Sequence, residues 1–240
     1  MKRRTPIFIV TSPRQRVGKT LVARTLAELF HADGRSVAAF DVNPDQFSLV
    51  EYLPADTAVA SVEDTRGPMA LFDQLVQPDG VPKVVDLGHS QFDRFFTVMQ
   101  DIGFAREAHV NAIVPTVLFV CDQDVRSRQG YAMLRDRFPD LALVLVFNEG
   151  IGPTMRHRTK FPQTRLGGAP LTIPSLSGVV RQVTERPGFS FASYSFNATD
   201  TTTELYGWTK RVFLEFRDLE LRLLLEELKP SLTFDRQRFP

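Results

Sequence analysis

The chain has 240 residues, of which 43% are hydrophobic and 24% are charged, and its formal net charge is +1. This length is ample for a buried core, and the balanced charge excludes a protein that binds polyanions over its whole surface. The single cysteine excludes an internal disulfide framework and suits a reducing compartment. No apolar run is long enough to cross a bilayer, and the basic first residues lack the apolar stretch of a signal peptide. We therefore expect a cytoplasmic protein without membrane contact.

Segments typical of buried strands alternate along the chain with amphipathic helical segments. The first strand-like run, residues 6–12, precedes a helical pattern that begins at Gly18 and stops at Gly34. The further strand-like runs are residues 36–42, 82–88, 114–122 and 141–149, with a short run at 170–176. Prolines bracket this last run, which places it at a sheet edge. The further helical patterns cover residues 67–76, 90–104 and 124–140, and a last helix extends from about Thr202 to Leu228.

These elements predict an α/β fold built on a doubly wound, mainly parallel sheet. Strands that are apolar throughout are typical of parallel sheets covered by helices on both faces, and the intervening helices supply right-handed crossovers. We expect one P-loop NTPase-like domain over residues 1–240, in which residues 200–228 form a helix packed on the sheet or on a partner subunit. Ligands are expected at the carboxyl ends of the strands.

Polar residues gather at those carboxyl ends. The first strand ends in the loop SPRQRVGKT, the second in Asp41, the third in Asp86 and the fifth in Asn148. A G-K-T sequence directly between a strand and an amphipathic helix is the context that a phosphate-binding loop requires. Acids after strands are also common as turn formers and caps, so each acid alone carries little information. The joint pattern favours a nucleotide site.

Each of these residues has a role if the ligand is ATP. The loop and helix N-terminus would surround the phosphates, with Lys19 reaching the β and γ oxygens. The Thr20 hydroxyl would bind Mg²⁺, which Asp86 would hold through a water molecule. Asp41 would position the attacking water, since phosphoryl transfer needs little beyond positioning and charge stabilisation. The loop residues expected around the phosphates are Arg14, Gln15, Arg16, Val17, Gly18, Lys19 and Thr20.

The segments SPRQRVGKT, AAFDVNPDQ, KVVDLGHS and VFNE resemble, in order and spacing, the ParA/MinD group of partition-type P-loop ATPases, within the SIMIBI class. The resemblance extends to about Pro187 and implies a switch that binds ATP with Mg²⁺, forms a homodimer around it, hydrolyses it slowly and changes protein partners. Arg14 falls where the family has a signature lysine that reaches the partner's phosphates. By the same resemblance, Asp41 is the switch I aspartate, Asp86 is the Walker B acid and Asn148 reads the adenine.

The loop departs from the family where it carries Pro13, Gln15 and Arg16 in place of glycine. Glycine adopts positive φ freely, whereas proline fixes φ and has no N–H. Gln15 and Arg16 must therefore accept a strained backbone or open the loop, and Arg16 either adds a cation beside the phosphates or faces solvent. Two alternatives follow: a ParA-like scaffold that has lost hydrolysis, and a ligase similar to dethiobiotin synthetase, whose loop also ends in V-G-K-T. The ligase has a lysine after its second strand, where this chain is acidic.

Several further features have less specific interpretations. Residues 150–184 contain no acid, and a basic cluster surrounds Phe161. In this family such a cluster can bind DNA non-specifically, although a solvated loop is the simpler interpretation. We interpret Cys121 as a core residue and His89 as a loop or capping residue. Asn148 and Glu149 do not match the pattern of guanine-binding proteins, which favours ATP over GTP.

Overall fold

Seven strands form the centre of the protein in a computed structural model, which describes residues 4–44, 48–64, 66–152, 161–162 and 169–234, with side chains up to residue 228. The strands are β1 Thr5–Thr11, β2 Ala38–Val42, β3 Thr57–Val59, β4 Lys83–Leu87, β5 Ile113–Cys121, β6 Ala142–Asn148 and β7 Leu171–Ile173. They lie in the order β3-β2-β4-β1-β5-β6-β7, and all six pairings among the described strands are parallel. The predicted parallel sheet is confirmed.

Helices cover both faces of the sheet. They are α1 Lys19–Ala32, α2 Leu49–Tyr52, α3 Arg66–Leu75, α4 Phe92–Asp101, α5 Phe104–Val110, α6 Val125–Arg137, α7 Gly178–Thr184, α8 Phe191–Asn197 and α9 Glu204–Phe234. Alternate residues of β1 enter two separate cores, because successive side chains of a strand point to opposite faces. Ile7 and Ile9 pack with α3 to α6, whereas Phe8 and Val10 pack with α1, α2, α8 and α9. The fold is therefore doubly wound, as predicted.

The C-terminal helix α9 packs on the sheet, and it extends past Leu228, the end expected from the sequence. Trp208, Val212, Phe216 and Leu219 are buried in the same core as α1 and β7. Their spacing places these side chains on one side of the helix, which is what packing on a sheet requires. Among the described helices, we find none that is both long and apolar enough to span a bilayer.

Strand β3 was not predicted, because its three residues are half-buried or exposed and carry no apolar run. It pairs with β2 at the edge of the sheet.

Most of the basic cluster, at residues 153–160 and 163–168, lies outside the described residues, so the DNA-binding interpretation stays a prediction. Phe161 itself is buried and contacts Tyr131, with 5.4 Å between ring centroids.

Cys121 is a buried core residue, as predicted, and we expect it to be unreactive. It is 4% exposed, and burial raises the pKa of its thiol to about 12. Because the thiolate is the reactive form, a thiol reagent should modify the native protein far more slowly than the denatured protein at pH 8. Colorimetric titration with Ellman's reagent, with and without denaturant, measures both rates. Rapid stoichiometric labelling of the native chain would contradict the prediction.

Candidate functional site

Residues 12–18 form a loop that connects the carboxyl end of β1 to Lys19, the first residue of α1. Gly18 has a φ of 91°, and a Cβ there would overlap the side-chain amide of Asn148, so only glycine fits. Arg16 also has positive φ, at 58°, which costs roughly 1–2 kcal/mol for a residue with a side chain. Of the two outcomes expected from the missing glycines, the loop shows the strained backbone at Arg16.

The Lys19 side chain turns back into this loop. It is only 8% exposed, and its Nζ donates a hydrogen bond to the backbone oxygen of Arg14 at 2.8 Å. Burial lowers the pKa of the Lys19 ammonium, and the nearby Asp86 carboxylate opposes this shift. An ammonium has three donors, so this one bond leaves N–H groups for an anionic ligand.

Thr20 joins α1 to the end of β4. Its Oγ1 donates to Oδ2 of Asp86 at 2.6 Å and lies 2.9 Å from the Ser48 hydroxyl. A hydroxyl has a single proton, so Ser48 must be the donor in the second bond. Ser48 was not identified from the sequence, because a serine seven residues beyond Asp41 carries no recognisable signal. Ser48, Thr20 and Asp86 are thus joined by consecutive hydrogen bonds, which connect the residue before α2, the start of α1 and the end of β4.

Asp41 and Asp86 are directly paired residues on the neighbouring strands β2 and β4. Oδ2 of Asp41 accepts hydrogen bonds from the backbone N–H groups of Leu49 and Val50, at 2.8 and 3.2 Å. In both carboxylates, Oδ1 is buried and has no hydrogen-bond partner among the described residues. Burial raises the pKa of Asp86 to about 7 and also raises the pKa of Asp41. A cation beside these oxygens would offset the cost of ionising the two acids.

The side chains at this position fit Mg²⁺. The ion prefers oxygen ligands, keeps several waters and is held in proteins by one or two carboxylates. Thr20 and Asp86 would hold it, and its charge would offset that of bound phosphates. Within the described ranges, no group of three or more His, Cys, Asp or Glu side chains is arranged to bind a metal.

Arg14 faces the turn between β5 and α6. Its Nε lies 3.1 Å from Oδ2 of Asp122, and its Nη2 lies 3.3 Å from Oδ2 of Asp124. Asp124 also caps α6 by accepting a hydrogen bond from the backbone N–H of Arg126. The two acids were not identified from the sequence, although a D-x-D pattern directly after a buried strand was visible. The contact of Arg14 with phosphates stays a prediction.

Asn148 supports the loop from the end of β6. Its Nδ2 donates to the backbone oxygen of Val17 at 3.0 Å, and its Oδ1 accepts from the backbone N–H of Gly150 at 3.0 Å. Its side chain is 8% exposed. The role of Asn148 in adenine recognition stays a prediction, for which its amide keeps one further N–H donor and one further lone pair.

The remaining predicted residues lie at the outer edge of the site. The Gln15 and Arg16 side chains are exposed. Gly88 donates its backbone N–H to the oxygen of Val42 at 2.9 Å and so ties the end of β4 to β2. His89, the next residue, is half-buried and begins a short 3-10 helix. The structure thus brings Lys19, Thr20, Asp41 and Asp86 together and places Arg14 and Asn148 against protein groups.

Comparison of the chain with protein-family models and with curated proteins gave no match. A functional assignment therefore depends on the residues and on their geometry.

Proposed function

We propose that the chain is a P-loop protein that binds ATP with Mg²⁺ at the carboxyl ends of β1 and β4. The observation that carries this proposal is the convergence of Lys19, Thr20 and Asp86 at the start of α1. A buried ammonium, a hydroxyl and a carboxylate meet there, with the Thr20–Asp86 contact at 2.6 Å. The N-terminus of a 14-residue helix adds unpaired N–H groups and a favourable dipole for an anion.

Each side chain has a defined task in this proposal. Lys19 transfers its hydrogen bond from the Arg14 oxygen to a phosphate oxygen, where its charge is more strongly stabilised. Thr20 and Asp86 hold Mg²⁺, whose charge favours the ionised form of Asp86. The free Oδ1 of Asp41 accepts a hydrogen bond from a water beside the phosphates. Positioning and charge stabilisation are sufficient for slow phosphoryl transfer to water.

The resemblance to the ParA/MinD group extends this proposal to a switch. In that group, nucleotide holds two subunits together and the signature residue reaches the partner's phosphates. We propose an ATP-dependent homodimer in which Arg14 exchanges Asp122 and Asp124 for phosphate, and a protein partner that recognises the dimer. Light scattering should give twice the monomer mass with ATP and Mg²⁺, and the monomer mass with ADP. The monomer mass under both conditions would contradict the switch.

A second candidate function is a nucleotide-binding scaffold without hydrolysis. The burial and the hydrogen bonds of the Asp41 carboxylate favour it. This carboxylate is fully buried, and its Oδ2 already accepts two backbone hydrogen bonds. Steady release of phosphate by the wild-type protein, lost in Asp41→Ala, would exclude the scaffold. Saturable ATP binding without phosphate release would instead establish it and exclude the ATPase.

Equilibrium titration with a fluorescent ATP analogue, with and without Mg²⁺, tests nucleotide binding. We expect saturable binding that Mg²⁺ strengthens, and a loss of about a hundredfold or more in Lys19→Ala, because a buried charge-assisted bond is removed. Lys210→Ala is the matched control, since Lys210 is exposed on α9. No saturable binding at millimolar nucleotide, or equal binding by Lys19→Ala, would refute the proposal.

Asp122→Asn should tighten ATP binding several-fold. The substitution removes a carboxylate 3.1 Å from the Arg14 guanidinium and leaves positive charge beside the loop. The gain in ATP affinity should be largest at low salt, because salt screens the interactions of exposed charges. The same titration measures it, with Asp136→Asn as control, because Asp136 pairs with Arg135 on the exposed side of α6. Weaker binding by Asp122→Asn would show that the acid assists nucleotide instead of competing with it.

A further inference from the structure

Helix α6 passes close to the loop at Gly130. A Cβ added there would lie 2.8 Å from Cγ of Pro13 and 3.2 Å from its Cδ, and 3.2 Å from Cζ of Phe92. Real Cβ atoms essentially never come within 3.0 Å of another heavy atom, so an alanine would displace the proline ring. Glycine in a helix interior costs roughly 0.5–1 kcal/mol relative to alanine, so this one is expected to have a packing reason.

The turn between β5 and α6, directly before this helix, contacts Arg14, the loop residue after Pro13. Asp122 and Asp124, in the β5–α6 turn, contact the guanidinium of Arg14. That turn is itself braced, because the N–H of Asp122 donates to the Ser127 hydroxyl at 3.1 Å and that of Asp124 donates to Oδ1 of Asp122 at 3.1 Å. Two consecutive loop residues therefore contact this part of the fold, Pro13 through its ring and Arg14 through a charge pair that is exchanged for phosphate in the proposed function, so the support expected to persist with nucleotide bound is the packing of Pro13.

The position of Arg14 matters for the site because its backbone oxygen accepts the hydrogen bond from Lys19 Nζ. The proline ring includes the backbone nitrogen and Cα of Pro13 and fixes φ, so a displacement of the whole ring also displaces the backbone that leads to Arg14. A shift of the Pro13 ring would move the Arg14 oxygen and with it the ammonium. Asn148 holds the other end of the loop through Val17. The loop is thus supported from outside at both ends.

We propose that Gly130 is a positioning residue for the phosphate-binding loop, and that it acts through the Pro13 ring on Arg14 and Lys19. In this chain, packing of the Pro13 ring against α6 supports the course of the loop. The inference rests on the proposed function for its nucleotide readout, and an experiment without nucleotide tests it independently.

Gly130→Ala should weaken binding of the fluorescent ATP analogue by roughly ten- to a hundredfold, because misplacement of a binding group by a fraction of an ångström to 1 Å has effects of this size. Adding Pro13→Ala to Gly130→Ala removes the ring atoms that clash, and it should restore most of the affinity. Pro13→Ala alone, which leaves α6 unchanged, should weaken binding only several-fold. Unchanged affinity in Gly130→Ala would overturn the inference. Failure of the double variant to recover would do so too, since the effect would then pass through Phe92.

Gly207→Ala is the matched control. Gly207 also lies within a helix, and an added Cβ there meets nothing within 4 Å. The Gly207→Ala variant should be stabilised by the usual difference in helix propensity between alanine and glycine, and its ATP affinity should not change.

Hydrogen exchange without nucleotide gives the independent test. Backbone amides of residues 14–20 should exchange faster in Gly130→Ala than in the wild-type chain, and the rates should return in the double variant. If the wild-type chain binds no ATP but this exchange pattern holds, the proposed function fails and the positioning contact stands. Equal exchange rates in all variants would contradict the positioning role of Gly130, whether or not the chain binds nucleotide.

Discussion

Asp86→Asn should abolish the effect of Mg²⁺ on nucleotide binding. Asparagine keeps the shape of the side chain and can still accept the hydrogen bond from Thr20, but it carries no charge for the ion. We expect the gain in ATP affinity on adding Mg²⁺, about tenfold or more, to disappear, which corresponds to about 1.4 kcal/mol or more. Titration of both proteins with the ATP analogue over a range of Mg²⁺ concentrations measures this. Persistence of the Mg²⁺ effect in the variant would exclude Asp86 as a holder of the ion.

The same substitution should change how stability depends on pH in the absence of metal. The pKa of Asp86 is raised from 3.8 in the unfolded chain to about 7 in the folded protein by burial. The folded state then binds more protons than the unfolded state between these values, so stability falls as pH rises from about 4 to about 7. The loss over the full range is on the order of 4 kcal/mol, because the shift is about three units and one unit of pKa shift corresponds to about 1.36 kcal/mol. Asp41 adds a fall in the same direction, since its pKa is also raised.

Urea denaturation in EDTA at pH 5, 7 and 8.5 checks this prediction. Asp86→Asn should be more stable than the wild-type protein at pH 8.5 and close to it at pH 5. Asp93→Asn, at an exposed acid on α4, should follow the wild-type curve. A wild-type stability that rises over this pH range, or an unchanged slope in Asp86→Asn, would contradict the raised pKa of this buried carboxyl group.

Arg24→Ala should destabilise the fold by about 3–5 kcal/mol, the cost of breaking a buried ion pair by removing one partner. Arg24 and Glu28 on α1 are 3% and 0% exposed, and their side chains are 2.9 Å apart. The guanidinium also donates to the backbone oxygens of Thr184 and Phe189 and lies 4.0 Å from the ring centre of Tyr52. This one cation therefore connects α1 to the end of α7 and to the segment that follows it.

Urea denaturation also measures this effect, and the chain provides a close control. Arg181 and Glu185 have the same spacing and a similar distance, 2.8 Å, but both are exposed. Arg181→Ala should cost no more than about 1 kcal/mol. The double substitution Arg24→Met with Glu28→Leu should recover only part of the loss, since no charge is then left buried but the backbone partners of both side chains lose their hydrogen bonds. Equal effects of Arg24→Ala and Arg181→Ala would show that the buried pair adds little.

The sheet could be predicted because its signals are local: apolar runs ended by Asp41 and Asp86 indicate buried parallel strands. The positions of Lys19 and Thr20 at the start of α1 could be predicted from the strand–loop–helix context, and their role in binding phosphate stays a prediction. Strand β3 was missed because three half-exposed residues at a sheet edge leave no periodic pattern. Helices α7 and α8 were also missed, and each has only seven residues.

The contacts that set the shape of the loop could not be predicted, because they join distant parts of the chain. Arg14 and Asp122 are separated by 108 positions, and Val17 and Asn148 by 131. No local pattern specifies which acid or amide will reach the loop after folding. For the same reason, Pro13 was interpreted only as a missing glycine, whereas the structure shows its ring packed against Gly130.

A crystal structure of the chain with a non-hydrolysable ATP analogue and Mg²⁺ tests the central proposal most directly. We predict triphosphate density at the N-terminus of α1, with Lys19 Nζ moved from the Arg14 oxygen to a phosphate oxygen and the ion beside Thr20 and Asp86. Empty density at millimolar analogue, with the Lys19–Arg14 bond intact, would contradict nucleotide binding at this loop. Analogue bound elsewhere on the protein would contradict it equally.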